Sequence, residues 1–519
     1  MMPGDTRRIL HARLTDPAFI VIGSLVLLFA VVIAFAFRFT TLIASALPVA
    51  VFASCLVLLL VPQKNFSPYL LLALGASVPF AHFAVIVLIG EGIQWAHVFG
   101  FLLITHLVIR ILLGNRIPLA PATPWVFALV LASLVSSIAF IGHGGEQTLE
   151  FFKSEIQLLF GVFLFLAVTH VKLDERRILL VLRTMITVSV GVALFGIYQL
   201  PARFLGLPGG VLRLTNPSLS GSTQTTNILH NLTRASSIFS EPSFFGHYMV
   251  GMIVITLIAA LHRPKLLGPR ALIWAVLIIQ TAGLILSFSM GSYFMLAALL
   301  LLMLIVERGT VKHKLAAIIL SVIGIGALAL IMVELISGYP MAEQLQARVI
   351  GIIKYFQGDM GYLVEGESLF QRLDTSRVGL RVWLDHPLTG VGLGSYTLVS
   401  YTYGEWNPFG FAANSAVNLL AETGILGFLC FVAIGIASVG PLYGIFRRKI
   451  RNGFEPENHE DLALIARMMF YLVIAELSYF FIMSILFWPG PWFYLGLGGA
   501  VAILARRRKR ESSLAKTSV

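Results

Sequence analysis

Charge and cysteine are both scarce in this chain. Only 12% of its 519 residues are Asp, Glu, Lys or Arg, against about 25% in soluble proteins. So few charges cannot dress the surface of a soluble enzyme or keep a disordered chain solvated. Its two cysteines, Cys55 and Cys430, lie far apart in apolar runs, which argues against a disulfide framework and a cysteine-based zinc site. Polar and apolar residues do not alternate as they would in the strands of a membrane barrel. No short repeat is evident, nor the two-half symmetry of many transporters. Acid is scarcer than base, 25 residues against 37, for a net charge of +12. The basic excess sits mostly at the ends of apolar runs, so it is not the footprint of a nucleic-acid partner.

What the chain has in abundance is hydrophobic length. Apolar residues make up 58% of it and come in runs of about 20, enough to cross a hydrocarbon core of roughly 30 Å. The expected fold is an all-α polytopic membrane protein. Its spans lie near 18–37, 41–61, 69–89, 93–113, 124–142, 154–171, 178–199, 243–261, 271–288, 291–306, 314–334, 417–440, 463–486 and 488–505, about fourteen transmembrane helices in all. The basic stretch 1–17 has no small-residue cleavage site after the first span and reads as a retained cytoplasmic tail. Lys and Arg concentrate in alternate loops, which places both termini inside. The organisation is then spans over 18–199, an outside loop at 200–242, spans over 243–334, a large outside loop at 335–416, spans over 417–505 and a basic cytoplasmic tail at 506–519. Within the large loop, MAEQLQARVIGIIKYF and SLFQRLDTSRVGLRVWLDH repeat apolar residues at three- and four-residue intervals, the pattern of amphipathic helices near the membrane surface.

The positive-inside rule makes the outside arginines anomalous: Arg38, Arg203, Arg213, Arg234, Arg348, Arg372, Arg377 and Arg381. A guanidinium fork suits phosphate because it donates bidentate hydrogen bonds and stays charged. Arg234 opens a segment that carries Glu241 and His247 directly into a span. Pro242 fits the first turn of a helix, which puts Glu241 at the cap position and His247 over one turn in. Capping and packing would explain both residues without chemistry, but ionisable groups at a membrane helix are otherwise costly. The spacing of Arg372, Arg377 and Arg381 is read as one basic side of a helix. Gly390, Gly392 and Gly394 resemble a dinucleotide fingerprint superficially, but no strand precedes them; they fit a backbone that turns tightly. Asn414, Asn418 and Glu422 recur at four-residue intervals, giving a polar helix face that either lines a cavity or is the wet side of an entry helix.

Taken together, Arg372, then Pro387-Leu-Thr-Gly-Val-Gly-Leu-Gly, then Asn414-Ser through Ala421-Glu-Thr-Gly-Ile-Leu-Gly resemble the signature of the O-antigen ligase and polymerase superfamily. Arg234 with Phe239-Ser-Glu-Pro-Ser and the turn Ser287-Phe-Ser-Met-Gly fit the same order, and the resemblance covers residues 180–440. It implies a bacterial inner-membrane glycosyltransferase with a large periplasmic loop and a periplasm-facing site. Such proteins move a glycan from undecaprenyl pyrophosphate to another sugar or to lipid A-core, without a metal or other cofactor. Two positions depart from the ligase pattern: Ala413 stands where ligases carry His before Asn, and Met290 stands where the family often has Arg. Phe-Ser-Glu-Pro-Ser is similar to the polymerase members.

The expectation is therefore a polysaccharide polymerase acting on undecaprenyl-pyrophosphate-linked oligosaccharides. Arg234, Arg372, Arg377 and Arg381 would hold the pyrophosphate, with Arg372 stabilising the leaving group. Glu241 or His247 would take the acceptor's proton, and Asn414, Asn418 and Glu422 would touch substrate. Partners would be the lipid-linked oligosaccharide, membrane lipid and a chain-length regulator protein, with no nucleic acid. A ligase is the first alternative. A transporter or flippase of the same lipid is the second, disfavoured because midspan positions are nearly free of Lys, Arg, Asp and Glu.

Overall fold

The computed structural model describes residues 66–88, 91–112, 118–138, 145–215, 228–229, 232–320, 363–403, 414–452 and 460–517, with a few isolated positions besides. The expected tail at 1–17, the first two spans, Arg38, Arg348, Ala413, most of the span at 314–334 and nearly all of the amphipathic stretch at 341–356 lie outside them.

The described chain is helical apart from two short antiparallel hairpins. In order, it runs α1 (Phe66–Ser77), β1 (Ala84–Leu88), β2 (Glu91–Gln94), α2 (Trp95–Leu112), α3 (Thr123–Ile138), α4 (Gly145–His170), α5 (Glu175–Phe204), β3 (Ile228–Leu229) and β4 (Leu232–Thr233). Then come α6 (Pro242–His262), α7 (Arg270–Leu286), α8 (Met290–Val306), α9 (Leu363–Asp385), α10 (Tyr396–Val399), α11 (Ser415–Asn452), α12 (Glu460–Tyr479) and α13 (Pro489–Thr517). Among the described residues, six stretches are long and apolar enough to cross a membrane: Trp95–Leu112, Glu150–His170, Glu175–Arg203, Pro242–His262, Ser415–Arg447 and Asp461–Tyr479. The chain is a multi-pass membrane protein.

One expected span takes a different form. Hydropathy marks 69–89 as a single crossing, but α1 ends at Ser77, a 3-10 turn follows over Val78–Phe80, and β1 starts at Ala84. Pro79, which has no backbone N–H to donate, stands in that turn, and the β-branched run Val85-Ile86-Val87 favours a strand. Twelve residues of α1 reach only about 18 Å.

Helix α6 is the axis of the bundle. It packs against α5, α7, α8 and α12, and 89% of its apolar window is buried inside the protein, the highest share among the six. Gly246 lets the serine-rich turn before α8 lie against it: a Cβ there would sit 2.7 Å from Ser292 Oγ and 2.8 Å from Ser287 Oγ. Pro242 occupies its first turn, and Glu241 precedes it with extended backbone. At the other end of α6, His262 joins a buried ionic cluster. Glu307 lies 3.1 Å from Arg467 Nε and 3.6 Å from His262 Nε2, and it accepts a 3.2 Å hydrogen bond from Tyr471.

Helix α11 is broken near its start. Gly424 has φ +64° and ψ −164°, so the carbonyls just before it lose their helical donors. A membrane interior demands that such groups be satisfied within the protein. The glycine-rich loop after α9 does this: Val391 N–H donates to Ala421 O and Gly392 N–H to Glu422 O, each at 2.9 Å, and Ile425 N–H donates to Pro387 O at 2.9 Å. Gly390, Gly392 and Gly394 all have φ between +68° and +94°, a region that favours glycine. Ser136 and Ser137 of α3 complete the lock by accepting from the N–H groups of Gly392 and Leu393 at 3.1 and 3.2 Å.

Candidate functional site

The site is built at the N-terminal end of α6 from segments distant in sequence. The turn at 234–241 comes first. Gln199, fully buried on α5, accepts from Ser236 N–H at 3.0 Å and Ser237 N–H at 2.8 Å, and donates to Ser237 O at 3.3 Å. This clamp holds Ser237 at φ +50°, a left-handed conformation unusual for a residue with a Cβ. Arg203, also on α5, donates to the carbonyls of Gly210 and Arg234. So fixed, Arg234 directs its Nε to Ser287 O at 3.1 Å. The receiving turn is itself strained, with Phe288 at φ +46°. Left-handed non-glycine residues cluster at functional sites, and here one lies on each side of the Arg234 contact.

Arg372 comes from a different helix. It sits on α9, half-buried, and its Nη1 donates to Ile482 O at 2.9 Å and touches the Met483 sulfur. Its Nη2 lies 3.9 Å from Glu241 Oε2. Ile482 in turn packs about the Ser289-Met290-Gly291 turn, with its Cγ2 3.5 Å from where a Gly291 Cβ would stand. The serine-rich turn thus connects to the contacts of both arginines: Arg234 donates to Ser287 O, and Ile482, whose carbonyl accepts from Arg372, lies against Gly291. Glu241 makes no side-chain cap bond to α6. Its carboxylate accepts from Ser243 Oγ at 3.0 Å and faces Arg372, so capping does not explain it.

His247 lies deeper, one turn into the bundle and buried. Its ring stacks on Tyr479 with centroids 3.2 Å apart and planes 4° apart, and its Nε2 is 3.4 Å from the buried Glu476 Oε1. Glu241, in contrast, keeps a side-chain exposure of 32%, which leaves it able to meet a substrate. Beside this cluster His82 is fully buried among the rings of Phe239, Phe244 and Trp488, and burial pushes its imidazole down to about 3. It is neutral.

The arginines of α9 do not share a face. Arg372 has 19% of its side chain exposed, whereas Arg377 has 59% and pairs with Asp374, and Arg381 is exposed. Nine residues at 100° each place Arg381 about 180° from Arg372; the expected common side holds for Arg377 and Arg381 but not for Arg372. Asn414 caps α11, accepting from Ala416 and Val417 N–H at 3.0 and 3.2 Å. Glu422 is buried at the break in α11, where its Oε1 accepts from Tyr396 N–H at 3.4 Å. Asn418 is buried one turn earlier. Burial raises the Tyr396 phenol above its ordinary range, and the charge of Glu422 adds to the effect. Asn414 thus holds the helix entry and Glu422 the segment after the glycine loop.

Sequence reasoning passed over Gln199, Tyr479, Glu476 and the Ile482–Met483 backbone. Glu476 had a usable signal, an acid inside an apolar run. It also qualifies the expectation of nearly uncharged spans: Glu155, Glu422 and Glu476 are all buried within helices. Two of them are committed locally, Glu422 to the glycine loop and Glu476 to His247. Among the described residues no three His, Cys, Asp or Glu side chains gather as a metal would require.

Residues 275–432 match the family described as O-antigen ligase. Enzymes of that family, the membrane glycosyltransferases of the O-antigen ligase and polymerase type, transfer glycans. The matched stretch contains the serine-rich turn, Arg372, the glycine loop and the break in α11, while Arg234, Glu241 and His247 precede it. No curated protein matches the chain.

Proposed function

We propose that the protein is a polymerase that joins oligosaccharide repeat units carried on a polyprenyl diphosphate, working at the periplasmic face of the bacterial inner membrane. The observation that carries this reading is the pairing of Arg372 with Glu241 beside the turn that receives Arg234. Two guanidinium groups and one accessible carboxylate at the mouth of a bundle are the parts that the transfer needs.

The chemistry asks for two things. Negative charge gathers on the diphosphate as it leaves, and preorganised cations stabilise it there. The acceptor hydroxyl must lose a proton to a base within hydrogen-bond reach. Arg372 and Arg234 meet the first need, and Glu241 meets the second. The acceptor oxygen bonds to the anomeric carbon while the bond from that carbon to the diphosphate oxygen breaks. The diphosphate keeps the electron pair, Glu241 takes the hydroxyl proton, and direct attack inverts the anomeric configuration. His247, stacked and buried, supports the wall behind Glu241 and does not reach substrate.

The family description favours a second reading, a ligase to lipid A-core. Ala413, in place of the histidine of the ligase pattern, weighs against it. Purified protein incubated with a defined lipid-linked repeat unit separates the two. A ladder of lipid-linked products on a gel supports the polymerase, whereas product only when lipid A-core is added supports the ligase. In a deletion strain, polymer lost with single capped units kept points to the polymerase. Accumulated lipid-linked polymer points to the ligase.

A further inference from the structure

The geometry points to a displaceable ion pair: Glu241 occupies the anion position of Arg372 until a diphosphate expels it, and that expulsion is what frees Glu241 to act as base. The inference rests on the proposed transfer from a polyprenyl diphosphate and adds an order of events to it.

The donors of Arg372 are divided. Nη1 is committed to Ile482 O and the Met483 sulfur, which fixes the guanidinium against the α12–α13 connection. Nη2 is the edge turned to Glu241, at 3.9 Å, beyond hydrogen-bond range. A carboxylate at that distance is held mainly by charge, and both side chains are partly open, at 19% and 32%. A pair so widely spaced and partly solvated is weakly held. Glu241 has a fallback partner in Ser243 Oγ at 3.0 Å, so leaving Arg372 does not strand it. A diphosphate brings more negative charge and several acceptor oxygens to the same guanidinium edge, and charge-assisted bidentate contacts there outcompete one distant carboxylate. Once the diphosphate is seated, its charge repels Glu241 from the guanidinium, at the moment when an acceptor hydroxyl is to be deprotonated. Without donor, Glu241 stays beside Arg372 and is not released toward an acceptor hydroxyl.

The test is binding of undecaprenyl diphosphate to the full-length protein in lipid nanodiscs, read alongside turnover on a lipid-linked repeat unit. Glu241→Gln removes the competitor and is expected to tighten binding by about two- to fivefold while turnover is lost. Glu241→Asp, which keeps the charge but retracts it by one methylene, is expected to tighten binding as well and to keep part of the turnover. It serves if the amide variant does not fold. Weaker binding in either folded variant overturns the inference, because it would mean that Glu241 supports Arg372 and does not compete with the anion. That result would leave the polymerase reading standing. Failure of the unmodified protein to bind undecaprenyl diphosphate at all would overturn both.

Discussion

Gly390 lies so close to Glu422 that a Cβ on the glycine would overlap the carbonyl carbon of the glutamate. The converse holds a few residues on, where a Cβ on Gly424 would overlap the carbonyl of Leu388. Two backbones thus meet without side chains between them, which lets the loop N–H groups reach the carbonyls that the break in α11 exposes.

Gly390→Ala and Gly424→Ala are therefore expected to be severe. Each places a side chain at positive φ, +68° and +64°, and drives it into rigid backbone, a combination worth more than about 3 kcal/mol. Gly444→Ala is the control, since nothing lies within 4 Å of its Cβ position. A thermal melt in detergent should show the first two variants collapsed or strongly destabilised and the third unchanged or slightly improved.

Arg372→Lys is expected to lower polymer formation by about 100-fold or more, in line with loss of a preorganised donor, while the protein still inserts and folds. A lysine ammonium cannot keep Ile482 O on one side and present a second edge to the diphosphate. Arg377→Ala and Arg381→Ala should remain near the unmodified rate, because both side chains are exposed away from Arg372. Initial rates on a defined lipid-linked repeat unit distinguish these outcomes, and a large loss in either alanine variant would contradict the placement of α9.

The contrast within α9 shows what was legible from residues alone. Helix existence, the start of α6 at Pro242 and the cap position of Glu241 follow from local rules that the chain obeys. The positive φ of the loop glycines was legible for the same reason. The partner of Glu241 was not, because Arg372 lies on another helix 131 positions away, and no periodicity encodes that meeting. Spacing did contain the warning about Arg381, as nine residues is half a turn out of phase. Gln199 left no trace at all: one amide in an apolar helix looks incidental until the turn it grips is seen. The polar face of Asn414, Asn418 and Glu422 was visible, but its use was not, since the break at Gly424 that it supports depends on a loop from elsewhere.

Gln199→Met tests that clamp. The thioether fills a similar volume but leaves Ser236 N–H, Ser237 N–H and Ser237 O without their partner. Buried polar groups left unsatisfied cost about 1–3 kcal/mol each, and the strained Ser237 loses what holds it. The melting midpoint should fall by several degrees. Polymer formation should fall further than stability explains, because Arg234 is carried on the released turn. If activity per folded molecule is unchanged, the clamp serves folding alone.

The ionic cluster at the far end of α6 should behave in the opposite way, affecting stability and not chemistry. Glu307 is 2% exposed and Arg467 11%, so their pairing is a buried one. Glu307→Gln leaves Arg467 facing His262 without a counter-charge, and breaking a buried pair from one side costs about 3–5 kcal/mol. Arg467→Met should cost less, because His262 remains 3.6 Å from Glu307, and Tyr471 still donates to it. The double variant Glu307→Gln/Arg467→Met should regain much of the loss, since no unpaired arginine remains, and a double-mutant cycle of melting midpoints measures that coupling. The cluster is separated from Glu241 by the 21 residues of α6, about 30 Å. The turnover of whatever fraction folds should therefore match the unmodified protein. A selective loss of turnover in the double variant would show that this end of the helix communicates with the arginine site.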